Sequence, residues 1–166
     1  FMLVCAMNPC PCGWHGDFRR PCHCSLGQIQ KYHSKISGPI LDRIDLHVEV
    51  PRVQYEKLAS EAVAESSDKI LERVEQARQI QKERFKNFNF FTNSEMKLKD
   101  IKLFCRLDEA GQEVLKRAVY TYNLSARAYH RILKLARTIA DLHAAETIHP
   151  DHLNEALQYR PQELIK

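Results

Sequence analysis

Apolar and polar positions change their rhythm twice along this chain. Phe1-Met-Leu-Val-Cys-Ala-Met7 is apolar without interruption, the pattern of a strand buried on both faces of a sheet. Asn8-Pro9 ends the run, because proline has no ladder donor and biases the residue before it away from helix. An Asn at the tip of a central strand sits where α/β sheets bind their ligands. With no earlier strand to flank this one, the expectation is the C-terminal piece of a longer protein, cut within a sheet. A loop over residues 8–25 follows. Ser25 then caps a predicted helix to residue 36, with Ile29, Tyr32 and Ile36 on one face. Ser37-Gly-Pro39 breaks it, and residues 40–43 form a short turn. Residues 45–50 alternate, with Leu46, Val48 and Val50 on one face, which predicts a strand with one exposed side.

The second change comes after Pro51. Residues 52–66 read as a connector with a helical turn near Tyr55, and from Ser67 onward the period is helical. Ser66 or Ser67 caps a long helix to about residue 85 with Ile70, Val74, Ala77 and Ile80 inward. Its other face mixes Glu, Arg and Lys as a solvated surface. Phe88, Phe90 and Phe91 occupy a loop, where packing against neighbouring helices is the expected use of the rings. Ser94 caps a helix through Phe104. Asp108 caps another with Ala110, Val114, Leu115 and Ala118 inward. Ser125 caps a third, over residues 126–143, whose stripe is Tyr129, Ile132, Leu133, Ala136, Ile139 and Ala140. Pro150 starts the last helix. The fold class is therefore α+β, mostly α. Two strands of an α/β sheet within residues 1–51 precede an all-α bundle over residues 67–166.

Composition narrows the function classes. Net charge is +4 among 166 residues, 44% of them hydrophobic, a balance that permits contact with phosphates without demanding it. No apolar run reaches membrane-spanning length, and no basic flank marks a signal peptide, so the cytoplasm is the expected compartment and no membrane partner is expected. Four of six cysteines fall in one loop, as Cys10-Pro-Cys12 and Cys22-His-Cys24. In a reducing compartment such a cluster reads as metal-binding before it reads as disulfide. Four thiolates can close a tetrahedral zinc site that offsets the entropy of ordering the loop. One intervening residue per pair is tighter than the usual spacing, and His15 or His23 can replace one Cys. Free loop thiols are the plainer alternative.

Three stretches in order carry a family resemblance: Met7-Asn-Pro-Cys-Pro-Cys-Gly13, Ser37-Gly-Pro-Ile-Leu-Asp-Arg-Ile-Asp-Leu46, and Ser125-Ala-Arg-Ala-Tyr-His-Arg-Ile-Leu-Lys-Leu-Ala-Arg-Thr-Ile-Ala-Asp-Leu142. Together they resemble the second half of a magnesium-chelatase-like AAA+ ATPase of the ComM/YifB family, over nearly the whole chain. The resemblance implies the remnant of an AAA+ nucleotide-binding sheet followed by a helical lid. It implies Asn8 as sensor 1, orienting the attacking water with an amide that both donates and accepts. It implies Arg43 as the arginine finger reaching a neighbouring subunit's ATP, and Arg127 as sensor 2 on the lid, with Arg131 one turn further in reserve. Without the resemblance, Asn8 reads as a turn former and the arginines as solvated surface groups. ATP and Mg²⁺ are the implied cofactors of the full-length protein, a hexameric ring of like subunits the implied assembly, and DNA the implied substrate, with branch migration or helicase action.

The chain contains no Gly-x-x-x-x-Gly-Lys-Ser/Thr phosphate loop, so these residues alone are expected neither to hydrolyse ATP nor to bind it tightly. Two further readings compete. A magnesium chelatase ATPase subunit fits the same family. A zinc-stapled nucleic-acid-binding module would use Arg19 and Arg20 on phosphates. Thiol–disulfide exchange ranks last, because no helix starts just after Cys12 to lower a thiol pKa.

Overall fold

A computed structural model describes residues 2–51, 53 and 65–161. The helical turn expected near Tyr55 lies outside the described residues. The chain divides into two compact units that part between residues 59 and 60.

In the first unit, α1 spans Leu26–His33 and α2 spans Gly38–Leu41. Ser25 caps α1 reciprocally: its Oγ accepts from Gln28 N at 3.3 Å, and Gln28 Oε1 accepts from Ser25 N at 2.9 Å, two otherwise orphaned donors satisfied at once. The helix ends three residues before the expected Ile36. Ile29 is its buried residue. His33 Nε2 donates to the Pro9 carbonyl at 2.9 Å, which ties the end of α1 to the start of the cysteine loop. Pro39 lies in the first turn of α2, where its missing N–H costs nothing.

The two expected strands do not form among the described residues. Residues 2–7 and 45–50 carry no strand pairing, and Met2, Leu3, Val4, Leu46, Val48 and Val50 are all exposed. A strand exists only through a ladder to a neighbour, and no described residue supplies one for either stretch. The sheet strands expected over these two stretches are therefore not seen among the described residues, and Leu46, Val48 and Val50 are exposed where a buried face was expected. The described structure is mostly helical.

The second unit holds α3 (Ser67–Arg84), a 3₁₀ turn (Asn93–Glu95), α4 (Leu98–Phe104), α5 (Glu109–Tyr122), α6 (Ala126–Leu142) and α7 (Pro150–Gln158). Ser66, Asp108 and Ser125 cap α3, α5 and α6 through backbone N–H groups at 3.4, 2.7 and 3.2 Å. Asn123 ends α5 in the left-handed region, φ 46°, a conformation Asn tolerates better than most residues. Helix α6 is the hub and packs on α3, α4, α7 and the 3₁₀ turn, while α5 packs on α7. Its stripe of Ile132, Leu133, Ala136, Ile139 and Ala140 joins Leu115, Ala118, Ile148, Leu153 and Ala156 in one core. Full burial of each large aliphatic side chain contributes about 1.5–3 kcal/mol. At one end Phe85 is fully buried, with Phe90 and Phe104 at ring centroid distances of 4.7 and 5.2 Å. Phe88 meets Phe104 edge to face at 5.3 Å, while Phe91 stays exposed.

Three inward positions differ from expectation. Ile70 and Val74 are exposed, and the buried residues of α3 are Ala77 and Gln81. Ala110 is exposed and Gly111 is buried in its place. A Cβ at Gly111 would stand 3.4 Å from Leu153 Cδ1 and 3.1 Å from Asp108 Oδ1, so a residue without one lets α5 approach α7. The helix expected from Ser94 is broken at Met96, where Asn93–Glu95 closes as a separate turn.

Candidate functional site

The cysteine loop is built by two tight turns. Gly13 N donates to the Cys10 carbonyl at 3.0 Å and Asp17 N to the Trp14 carbonyl at 3.1 Å, with Gly13 at φ 82° and Gly16 at φ 83°. Both angles favour glycine over any residue with a Cβ. Asp17 Oδ1 accepts the backbone N–H groups of Arg19 and Arg20 at 2.7 and 2.9 Å and fixes the far side. The turns bring the two Cys-x-Cys pairs together. Cys10 Sγ is 3.4 Å from Cys12 Sγ and 3.7 Å from Cys22 Sγ, and Cys12 and Cys22 are 3.6 Å apart. All four sulfurs, Cys24 included, lie within 4.8 Å of one another.

That arrangement fits a tetrahedral metal. Thiolates about 2.3 Å from zinc lie about 3.8 Å from each other, the edge of the tetrahedron. His15 and His23 are exposed and lie outside the sulfur cluster. Backbone N–H groups of Trp14 and His23 point at Cys12 and hold its thiol down to about 6, whereas burial pushes Cys24 up to about 12. The Cys24 N–H donates to Cys22 Sγ at 3.4 Å. Such donors neutralise part of the charge that four thiolates gather. Cys105, in the other unit, is a different case. It sits in the apolar core and burial raises its thiol to about 12, which leaves it inert.

The structure places the nucleotide-site candidates in both units. Asn8 is exposed at the mouth of the cysteine loop, with its amide facing Gly13: a Cβ there would lie 3.9 Å from Asn8 Nδ2. Arg43 follows α2, is exposed, and donates from Nη1 to the Pro39 carbonyl at 2.5 Å. Its guanidinium thus caps the carbonyl end of its own short helix. Arg127 is exposed in the first turn of α6, and Arg131 lies one turn on. On the same helix, Lys134 Nζ donates to the Ser94 carbonyl at 2.7 Å. Asn8 and Arg43 belong to the first unit, Arg127 and Arg131 to the second. The four cysteines are the one predicted set that the described residues bring into mutual contact.

A buried polar network in the helical unit escaped the sequence reading. Asp141, fully buried, receives Arg84 through both guanidinium Nη atoms, Arg137 Nε at 3.0 Å and Asn93 Nδ2 at 2.8 Å. Arg137 also donates to the carbonyls of Glu146 and Ala145 at 2.9 and 2.6 Å. One carboxylate thereby links α3, the 3₁₀ turn, α6 and the chain entering α7. The signal was available, because Arg137 and Asp141 are an i,i+4 pair on the apolar side of α6. Nearby, His152 is buried beside His143 and His149, with ring centroids 5.3 and 5.5 Å away. Its Nδ1 accepts the His149 N–H at 3.1 Å. Burial, followed by the charges of His143 and His149, lowers its pKa.

Two neighbouring stretches match magnesium chelatase family models. Residues 64–160 match the family described as magnesium chelatase, subunit ChlI C-terminal, and residues 1–58 match magnesium chelatase, subunit ChlI. The chain belongs to this magnesium chelatase family. Among individual proteins it is 43% identical to the competence protein ComM of Haemophilus influenzae and 38% identical to YifB of Escherichia coli, an uncharacterized protein. It is also 33% identical to an uncharacterized protein of Mycobacterium tuberculosis. These alignments take in 96% of this chain but only 30–31% of the relatives. The chain therefore spans about a third of the length of the proteins it matches. Among the described residues no helix is long and apolar enough to cross a membrane.

Proposed function

We propose that this chain is the C-terminal part of an ATP-dependent AAA+ motor that acts on DNA. The observation that carries the reading is the tandem match, ChlI over residues 1–58 followed directly by ChlI C-terminal over residues 64–160. In this reading residues 1–51 complete an ATPase core, residues 52–66 connect, and residues 67–166 form the lid. The two apolar stretches join a sheet whose other strands and phosphate loop lie elsewhere in the full-length protein.

Each candidate then has a task. The Asn8 amide can accept from the attacking water and donate to a γ-phosphate oxygen. Arg43 lies on an exposed turn with its Nη1 on the Pro39 carbonyl, and its guanidinium can exchange that bond for the stronger, charge-assisted bonds of a neighbour's γ-phosphate. Arg127, with Arg131 behind it, brings positive charge to the phosphates when the lid closes. Cys10, Cys12, Cys22 and Cys24 hold Zn²⁺ as a structural clip beside this site. The working assembly is a cytoplasmic ring, a hexamer of like subunits. DNA is favoured as substrate by the similarity to a protein named for competence. The family description itself favours a second reading, an ATPase subunit for magnesium insertion into a porphyrin.

The test is ATP turnover by the full-length protein with and without DNA. DNA-stimulated turnover supports the motor, and porphyrin-dependent turnover supports the second reading. These 166 residues alone are expected to show neither; turnover by them alone would refute the assignment.

A further inference from the structure

The loop between the two cysteine pairs has a surface that a purely structural clip does not require. Phe18 is 70% exposed at its tip, and Arg19 and Arg20 beside it are exposed as well. The Arg20 guanidinium carbon lies 4.5 Å from the centroid of the half-buried Trp14 ring, and that of Arg19 lies 5.5 Å from the Phe18 ring. The rings therefore steer two cations that remain open to solvent. An outward aromatic face beside two oriented guanidinium groups is the pairing that recognises an unstacked base next to its phosphate.

We infer that residues 13–21, clasped at both ends by the four thiolates, form a contact for single-stranded nucleic acid. This rests on the zinc clip proposed above, which orders the loop before binding so that association does not have to. A duplex keeps its base faces stacked, so it can use the arginines but not Phe18. An acidic protein partner would likewise use the charges alone.

The experiment uses the full-length protein and a fluorescein-labelled oligothymidylate, read by anisotropy across a salt titration. Zinc content is measured by elemental analysis on the same samples. Phe18→Ala is expected to weaken binding about tenfold without changing the salt slope. Arg19→Glu with Arg20→Glu is expected to weaken it at least as much and to flatten the slope by about 1.4, two phosphate contacts' worth. Zinc content should match wild type in both. The inference is overturned if zinc-loaded variants bind oligothymidylate as wild type does, or if Phe18→Ala weakens duplex binding equally. Wild-type protein that contains no zinc would instead overturn the clip, whatever the variants bind.

Discussion

Removing the Asp141 carboxylate should cripple the helical unit. The side chain of Asp141 is fully buried, that of Arg137 is 3% exposed and that of Arg84 is 15% exposed. Asp141→Ala leaves both guanidinium groups without their anion and deprives Asn93 Nδ2 of one acceptor. Breaking a buried pair by removing one member costs about 3–5 kcal/mol. Two features place the expected value near the lower end. Arg137 keeps the carbonyls of Ala145 and Glu146, and Arg84 can recover some hydration. A domain is stable by about 5–15 kcal/mol, so about 3 kcal/mol is a large share. With a urea slope of about 1–2 kcal/mol/M, the midpoint followed by circular dichroism at the helical band should fall by about 1.5–3 M. Asp141→Asn, which keeps the shape and one acceptor, should fall less. Arg84→Ala combined with Asp141→Ala should cost clearly less than the sum of the two, with a coupling energy above about 1 kcal/mol. A loss under about 1 kcal/mol for Asp141→Ala, or additive single effects, would refute the view that this carboxylate ties the unit together.

Three other outcomes follow from the geometry. Phe85→Ala removes a ring with no exposure from a cluster of four, and thermal unfolding should report a loss of about 3–5 kcal/mol. His152 has a lowered folded-state pKa, so protons bind the unfolded chain more readily. The stability it contributes is present above the ordinary histidine value of about 6.5 and is lost as pH falls below it. His152→Gln should flatten a urea-midpoint-against-pH curve in that range, and an unchanged curve would remove His152 from the account. Cys10→Ser, at the most buried of the four thiols, should reduce bound zinc from about one per chain to none; retained stoichiometric zinc would contradict the tetrathiolate clip.

Five of the helix starts were legible in the sequence because caps are local. Ser25, Ser66, Asp108, Ser125 and Pro150 each mark a boundary through groups within three residues. Burial was less legible, because a periodic stripe says which face is apolar but not how far a neighbour reaches along it. Ile70 and Val74 keep the period of α3 and still face solvent. The strands were the least accessible, since residues 2–7 and 45–50 need partners that local pattern cannot supply. The cysteine cluster was readable from composition and spacing. Its sulfur separations, and the cation–aromatic pairs of Arg19 and Arg20, required the turns at Gly13 and Gly16 to be seen. The Asp141 network was written in the sequence as an i,i+4 pair, but its third and fourth members come from α3 and the 3₁₀ turn.

The proposal that this chain is the C-terminal part of a ring ATPase, with Arg43 acting on a neighbour's site, is tested most directly by Arg43→Ala in the full-length protein. A finger of this kind contributes about 10³–10⁵-fold to turnover. DNA-stimulated ATP hydrolysis should therefore fall by at least about 10³-fold while ATP binding remains. Mixing this variant with Asn8→Ala subunits should recover a fraction of the activity at interfaces that pair an intact Asn8 with an intact Arg43. Hydrolysis at the wild-type rate by Arg43→Ala, or no recovery in mixed rings, would contradict the account.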